Sequence, residues 1–148
     1  MEWCNSMADV FTKAKRSEVM SRICGSGNKK TELALIAVFR RNHITGWCRN
    51  QKLFGKPDFV FRTQRLAVFV DGCFWHGCPK HGTMPANNSV FWKEKLEANK
   101  VRDREVTRTL QKHGWKVMRI WEHELKAINA VNLLARIKRK LQRRKPNK

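Results

Sequence analysis

Two short apolar runs separated by only three residues constrain the fold of this chain more than any other feature. Residues 58–62 and Leu66–Asp71 are rich in aromatic and β-branched residues, and Thr63, Gln64 and Arg65 connect them. Such runs favour strands, and a connection of this length favours an antiparallel hairpin. The sequence therefore predicts a β-sheet near the middle of the chain.

Helical patterns lie on both sides of this hairpin. Before it, residues 13–24 favour one helix, and a second is indicated by helical spacing of Leu33, Ile36, Ala37 and Arg40. Thr31 or Asn28 could cap the second helix. A short strand is expected at residues 47–50. After the hairpin we expect a loop at 72–88, a helix at 91–113, a strand at Lys116–Trp121 and a terminal helix at 122–142.

The length of the chain fits one folded unit. A chain of 148 residues can bury a sizeable core, and its sequence shows no internal repeat or dividing linker. We therefore predict a single α/β domain, with a mixed central β-sheet flanked by helices. Residues 1–12 are interpreted as an N-terminal extension and residues 136–148 as a basic tail.

The excess of positive charge points to a polyanionic partner. Lys and Arg number 32 against 12 Asp and Glu, a formal net charge of +20. Basic side chains that neutralise phosphates release condensed counterions, which favours binding without base contacts. Nucleic acid is therefore the expected partner. The basic tail fits a solvated helix end as well as a phosphate-binding segment.

The apolar segments and the cysteines indicate the cellular compartment of the protein. The longest purely apolar run, residues 33–39, is far shorter than the roughly 18–20 residues that span a bilayer. Glu2 and Asn5 interrupt any signal-like segment. Five cysteines without a secretory signal favour metal-bound or free thiols in a reducing compartment. We expect a cytoplasmic protein with no membrane partner.

The hairpin places two acidic residues at one end of the predicted sheet. Asp58 opens its first strand and Asp71 closes its second. Antiparallel pairing brings both within reach of one cation, and carboxylates suit Mg²⁺, which keeps waters for phosphate chemistry. The alternative is that each carboxylate caps a turn or pairs with one of the many basic side chains.

The loop after the hairpin carries metal-ligand residue types. Cys73, Cys78 and His81 have the donors and spacing of a tetrahedral zinc site, and zinc would explain how a segment without a core is ordered. His123, after the last strand, is the candidate fourth ligand. His76 would then be free to act as a base. The alternative is a pair of buried cysteines with surface histidines.

Aromatic and acidic residues complete the set of candidates. Phe74 and Trp75 are adjacent in the loop and cannot both face one core, so they either wedge between base pairs or pack beneath the loop. Asp103 lies on the apolar face of the long helix, where it needs an Arg partner or orients a catalytic histidine. Glu32 by itself is a first-turn acid favoured by the helix dipole.

Ordered motifs through most of the chain resemble the very-short-patch-repair (Vsr) mismatch endonucleases. The matching motifs are residues 13–17 with Met20, then 31–32, 55–60, 69–76, 91–92, 102–103, 114–115 and 121–122. The similarity extends from about residue 7 to residue 125. It implies a restriction-endonuclease-like fold and an enzyme that nicks one DNA strand beside a T:G mismatch left by deamination of 5-methylcytosine.

The resemblance also implies the roles of individual residues. For catalysis it implies His76 as general base, Asp103 as catalytic carboxylate and Glu32 as the acid near the metal waters. For Mg²⁺ it implies the Asp58 carboxylate and the Val70 carbonyl. Asp71 stands where some members have a histidine, so its place in the metal shell is open.

Further roles implied by the resemblance concern zinc and DNA. The structural zinc ligands correspond to Cys73, Cys78, His81 and His123. The residues implied in DNA contact are Phe74, Trp75, Met20, Lys13, Lys15 and Arg16. The wider superfamily uses an acid-x-Lys motif, but residues 70–73 contain no lysine, so His76 has to replace it.

Two other functions compete with mismatch nicking. One is a sequence-specific restriction or nicking endonuclease on the same scaffold, and the other is a non-catalytic, zinc-stabilised DNA-binding module. Because nicking one strand requires only one active site, a monomer on double-stranded DNA is expected. Recruitment of repair proteins is left open.

Overall fold

The computed structural model describes residues 31–142, so the helix expected at residues 13–24 lies outside the described residues. The described helices and strands, in chain order, are α1 (Glu32–Arg41), β1 (Trp47–Cys48), β2 (Phe59–Phe61), β3 (Leu66–Asp71), α2 (Ser89–Lys112), β4 (Lys116–Trp121) and α3 (Ala130–Leu141). The helices are interspersed along the chain with the strands of one four-stranded sheet. The predicted α/β class is confirmed.

The sheet has the strand order β1-β2-β3-β4 and mixed pairing. β2 and β3 form the predicted antiparallel hairpin, in which Phe59 faces Val68. β3 pairs with β4 in parallel, with Asp71 beside Trp121. The hairpin therefore brings Asp58 to the same end of the sheet as Asp71, where β3 and β4 also end.

The core occupies both faces of the sheet, which explains why the apolar run of β3 is nearly continuous. On one face α1 and α3 contribute Phe39, Leu133 and Ile137, all fully or almost fully buried. The Phe39 ring meets the Phe59 ring edge to face at 5.4 Å between centroids. On the other face α2 packs against β3 and β4 through a smaller cluster that includes Leu110. The sheet is thus flanked by helices, as predicted.

The sequence predicts the presence of the helices better than it predicts which face of each helix is buried. In α1 the buried apolar side chains are Leu35, Ile36 and Phe39, whereas Leu33 is 39% exposed. The α2 pattern is confirmed, with Leu96 and Leu110 among its buried residues. None of the helices within residues 31–142 is both long and apolar enough to cross a membrane.

The predicted helix over residues 122–142 is wrong in its first part. Two short 3₁₀ turns, Glu122–Leu125 and Ala127–Asn129, precede α3, which begins only at Ala130. Lys126 interrupts them with an extended backbone, φ −68° and ψ 146°. The Glu124 carboxylate accepts a hydrogen bond from the Trp121 backbone N–H at 2.8 Å, which favours a turn directly after β4. Asn129 donates to the His123 carbonyl at 2.9 Å and holds the turn in place.

Candidate active site and metal centre

The segment that follows β3 folds into a tight turn at the end of the sheet. The His76 backbone N–H donates to the Gly72 carbonyl at 3.2 Å, and the Cys78 N–H donates to the Cys73 carbonyl at 2.9 Å. Gly77 has a φ of +60°, a value that glycine adopts without strain. The turn brings the two cysteines together and places His76 between them in sequence.

Cys73, Cys78, His81 and His123 converge beside this turn. The His123 Nδ1 atom lies 3.3 Å from the Cys73 Sγ and 3.6 Å from the Cys78 Sγ. The Cys78 Sγ lies 4.0 Å from the His81 Nδ1, and all four donor atoms lie within 4.8 Å of one another. Tetrahedral zinc, with bonds of about 2.3 Å to sulfur and 2.0 Å to nitrogen, requires donor separations of roughly 3.3–3.8 Å. The donor types and the two separations from His123 fit zinc, and the Cys78–His81 separation is slightly longer than this range.

His76 points to α2, where it meets Asp103. The His76 Nδ1 lies 2.6 Å from the Asp103 Oδ2 and 3.8 Å from the Asp71 Oδ1. Burial favours neutral His76, but the hydrogen bond to Asp103 and the Asp71 charge outweigh it and raise the His76 pKa. Burial also opposes the charge of Asp103, yet the bond to His76 and nearby positive charge hold the Asp103 pKa below its usual value. Asp103 thus stays ionised and stabilises the imidazolium that forms when His76 takes up a proton.

Arg119, on β4, is a site residue that the sequence analysis missed. Its Nη1 donates to both carboxylate oxygens of Asp71, at 2.9 and 2.8 Å, and its Nη2 lies 3.2 Å from the Asp103 Oδ1. Asp103 therefore has both an Arg partner and a His partner. The one sequence signal of Arg119 is a basic residue in the interior of β4, whereas Lys116 only opens the strand, and this signal does not identify the partners of Arg119.

Asp58 lies in a separate cleft of about 300 Å³ that Glu32 also lines. The Val70 N–H donates to the Asp58 Oδ2 at 2.7 Å. Burial is the main cause that raises the Asp58 pKa to about 6, and the Glu32 and Asp71 carboxylates raise it further. Glu32 is itself buried and forms an ion pair with Arg49. The cleft gathers hard oxygen donors whose negative charge a divalent cation would relieve, which fits Mg²⁺.

Phe74 and Trp75 pack with Trp92 at the start of α2. The Phe74 ring centroid lies 5.1 Å from that of Trp75 and 5.3 Å from that of Trp92, and all three rings are half-buried. Asn99 donates to the Trp75 carbonyl at 2.8 Å and ties the loop to the helix. Phe91 extends the cluster and is 57% exposed. The rings thus form a partly exposed aromatic surface rather than a closed core.

The other residues implied in DNA contact, Met20, Lys13, Lys15 and Arg16, lie outside the described residues. For the remaining candidates, the structure forms three groups. Asp58 and Glu32 share a cleft next to Val70. Asp71 and Asp103 both lie close to His76, and the four zinc candidates converge beside the same turn.

A mixed sheet that gathers carboxylates and a histidine at one edge, in a strongly basic chain, defines the protein as a nuclease of the restriction-endonuclease-like class. The family described as DNA mismatch endonuclease Vsr matches residues 8–81. The type II nicking enzyme V.NmeAIP of Neisseria meningitidis is 40% identical over 123 residues, 81% of this chain and 86% of the relative. The chain belongs to the Vsr family of DNA endonucleases.

Two further relatives show how the similarity is distributed. The DNA mismatch endonuclease Vsr of Escherichia coli is 36% identical over 121 residues, 81% of this chain and 77% of the relative. The type II nicking enzyme V.NaeI of Lentzea aerocolonigenes is 54% identical over 69 residues. That alignment covers 47% of this chain and only 42% of the relative. The fold class predicted from the resemblance is confirmed by membership of the family.

Proposed function

We propose that the protein is a Mg²⁺-dependent endonuclease that nicks one strand of double-stranded DNA next to a T:G mismatch. The observation that carries this proposal is the His76–Asp103 pair, 2.6 Å apart, at the same sheet edge as the acidic Asp58 cleft. A base and a cation site side by side are the requirements for hydrolysing a phosphodiester with water. The name of the Escherichia coli relative supports the mismatch as substrate.

His76 acts as the general base in this proposal. Because Asp103 binds Nδ1, that nitrogen carries the proton and Nε2 is left to take a proton from the attacking water. Asp103 orients the ring and stabilises the imidazolium that forms. The absence of a lysine from residues 70–73 supports this assignment, since no acid-x-Lys base is available there.

The Asp58 carboxylate and the Val70 carbonyl would hold Mg²⁺, and Glu32 would orient its waters from the same cleft. When bound, Mg²⁺ supplies stabilisation of the negative charge that develops on the phosphate. The sequence also predicts Asp71 within reach of the same cation. Because Arg119 already donates to both of its oxygens, we assign Asp71 to the His76 side of the site.

Zinc is proposed as the structural metal of Cys73, Cys78, His81 and His123. Their donor atoms have the spacing that a tetrahedral ion requires. The ion would hold the turn that carries His76 and would not take part in the reaction. The donor set supports this division, because thiolates suit zinc and carboxylates suit Mg²⁺.

Selectivity for a mismatch is assigned to the aromatic surface. Phe74, Trp75 and Trp92 lie next to the catalytic turn and are only half-buried. Aromatic side chains that enter a base step must unstack it, which costs about a few kcal/mol. A mispaired step is easier to open than a matched one, so a wedge favours a T:G site. One chain carries the whole site, so a monomer suffices for nicking one strand.

The assay that tests this proposal compares two histidine variants. Wild type, His76→Ala and the control His113→Ala are incubated with Mg²⁺ and duplexes that contain T:G, U:G or only matched pairs. His113 is exposed at the end of α2, where it bonds the Thr109 carbonyl, so its removal should leave nicking unchanged. His76→Ala should slow the nicking of T:G duplex by about 100-fold or more. Full activity of His76→Ala would refute the assignment of the base.

A second candidate function is nicking of a specific sequence in fully paired DNA. The names of V.NmeAIP and V.NaeI, both type II nicking enzymes, favour it. Cleavage of matched duplex at a rate equal to that of T:G duplex would select this function. A non-catalytic DNA-binding module would instead bind DNA without cleaving it, and Asp58→Ala would then leave its function unchanged.

A further inference from the structure

We propose that Arg119 is a positioning residue of the active site, which holds the Asp71 and Asp103 carboxylates so that Asp103 can align His76. This inference rests on the proposed role of His76 as the base. Arg119 does not reach substrate in this proposal, but acts through the two carboxylates that it bridges.

The contacts of the Arg119 side chain use its whole head group. Besides its bonds to Asp71, the Nη2 lies 3.2 Å from the Asp103 Oδ1 and 3.4 Å from the Asp103 backbone carbonyl. The Nε donates to the Thr107 Oγ1 at 3.4 Å, one turn further along α2. A planar guanidinium that contacts β3 on one side and α2 on the other fixes the distance between these elements.

The division of the Asp103 oxygens is the central observation. Oδ1 faces Arg119 and Oδ2 faces the His76 Nδ1 at 2.6 Å. Since each oxygen has its own partner, the carboxylate cannot rotate without losing one of them. The plane of the Asp103 carboxylate, and with it the direction of the His76 ring, is therefore set by Arg119.

Charge explains why a cation is needed at this position. Donor atoms of Asp71, His76 and Asp103 lie within 4.8 Å of one another, close enough to hold a metal ion. Two carboxylates at that separation repel each other. The Arg119 guanidinium supplies the opposing charge through its contacts with Asp71 and with the Asp103 Oδ1, and it leaves the second Asp103 oxygen to His76.

Arg119 is also held in place by contacts other than those with the two carboxylates. The parallel register places it beside Phe69, and its guanidinium lies 4.7 Å from the centre of the Phe69 ring. Its backbone carbonyl accepts a hydrogen bond from Arg136 at 2.7 Å. The side chain is only 23% exposed. An arginine held in this way loses little further freedom when it orients its partners.

The test measures single-turnover nicking and duplex affinity in variants of Arg119. Arg119→Met keeps the length of the side chain and removes its charge, so we expect the maximal rate to fall about 10- to 100-fold with KM for the duplex unchanged. Arg119→Lys should recover part of the rate, since it restores charge without the planar fork. Arg104→Met is the matched control, because Arg104 is exposed on α2 and should leave the rate unchanged.

Two further measurements separate positioning from a merely structural role. Added guanidinium ion should restore part of the rate of Arg119→Ala, which a general loss of stability would not allow. In an Asp103→Asn background, Arg119→Met should change the rate less than twofold, because the group that it positions is already removed. Additive effects of the two substitutions would overturn the proposal.

The two proposals fail in different ways. If His76→Ala nicks DNA at the full rate, the assignment of His76 as the base fails and the role of Arg119 falls with it. If His76→Ala loses activity but Arg119→Met and Arg119→Lys both retain the wild-type rate, only the Arg119 proposal fails. Should Arg119→Met not fold, as judged by its thermal transition, Arg119→Lys decides: a rate equal to wild type overturns the proposal and a reduced rate at unchanged KM supports it.

Discussion

Removal of one zinc ligand should destabilise the protein and empty its metal centre. The change is Cys73→Ser, which replaces a thiolate that lies 3.3 Å from the His123 Nδ1. The loop at residues 72–88 has little else to hold it, because Cys78 is its only buried residue. A structural zinc site stabilises a fold by on the order of 10–16 kcal/mol, and all of this is lost when the ion does not bind.

This magnitude is comparable to the whole stability of a domain, which is about 5–15 kcal/mol. We therefore expect loss of folding in Cys73→Ser, seen as the absence of a cooperative melting transition. Cys48→Ser is the matched control, since Cys48 is an exposed free cysteine outside the four-residue group. Its melting temperature should change by no more than about 2 °C.

Metal analysis and calorimetry on the same preparations check the prediction. Wild type and Cys48→Ser should contain one zinc per chain, whereas Cys73→Ser should contain much less. Nicking should fall with the metal, because the turn that carries His76 is bounded by Cys73 and Cys78. Native protein purified free of zinc, or equal melting of the two serine variants, would refute the reasoning.

Three other outcomes are expected. Asp103→Asn should slow single-turnover nicking about 10- to 100-fold without weakening duplex binding, since it removes a charge-assisted bond of about 1.5–3 kcal/mol to His76; an unchanged rate argues against the pair. Because the Asp58 pKa is raised to about 6, the Mg²⁺ concentration needed for half-maximal nicking should rise as the pH falls through that value and Asp58 takes up a proton, whereas protonation of His76 lowers the rate even at saturating Mg²⁺; a Mg²⁺ requirement that does not change with pH contradicts the assignment of Asp58. Ile137 is a core residue that is 2% exposed, and Ile137→Ala should lower the free energy of unfolding in urea by about 2–5 kcal/mol. Ile128 is 89% exposed, so Ile128→Ala should lower it by at most about 0.5 kcal/mol, and equal losses would contradict the core described above.

Features of the fold that depend on neighbouring residues could be predicted from the sequence. The hairpin followed from two apolar runs and a short connection, and the structure pairs Phe59 with Val68. In α1 the helix was predicted but its buried face was not, because apolar residues such as Leu33 lie on both sides of it. The start of α3 was missed because Lys126, a good helix former, is extended there. Tertiary contacts of the preceding turn outweigh that local preference.

The candidate site shows the same limit. Asp103 could be singled out because a carboxylate on the apolar face of a helix requires a partner, and its contact with His76 agrees with that reasoning. Arg119 could not, because its bond to Asp71 joins residues 48 positions apart and depends on the parallel pairing of β3 with β4. A charge inside an apolar strand becomes informative only when the neighbouring strand is known.

The turn between Cys73 and Cys78 is short, and this couples the two thiols to His76. His76 lies three residues after the first thiol and two before the second, so the thiols and the imidazole occupy one small piece of backbone. A chemical change at either sulfur would therefore disturb the backbone that positions the imidazole, so damage at the metal centre would also impair the proposed catalytic histidine.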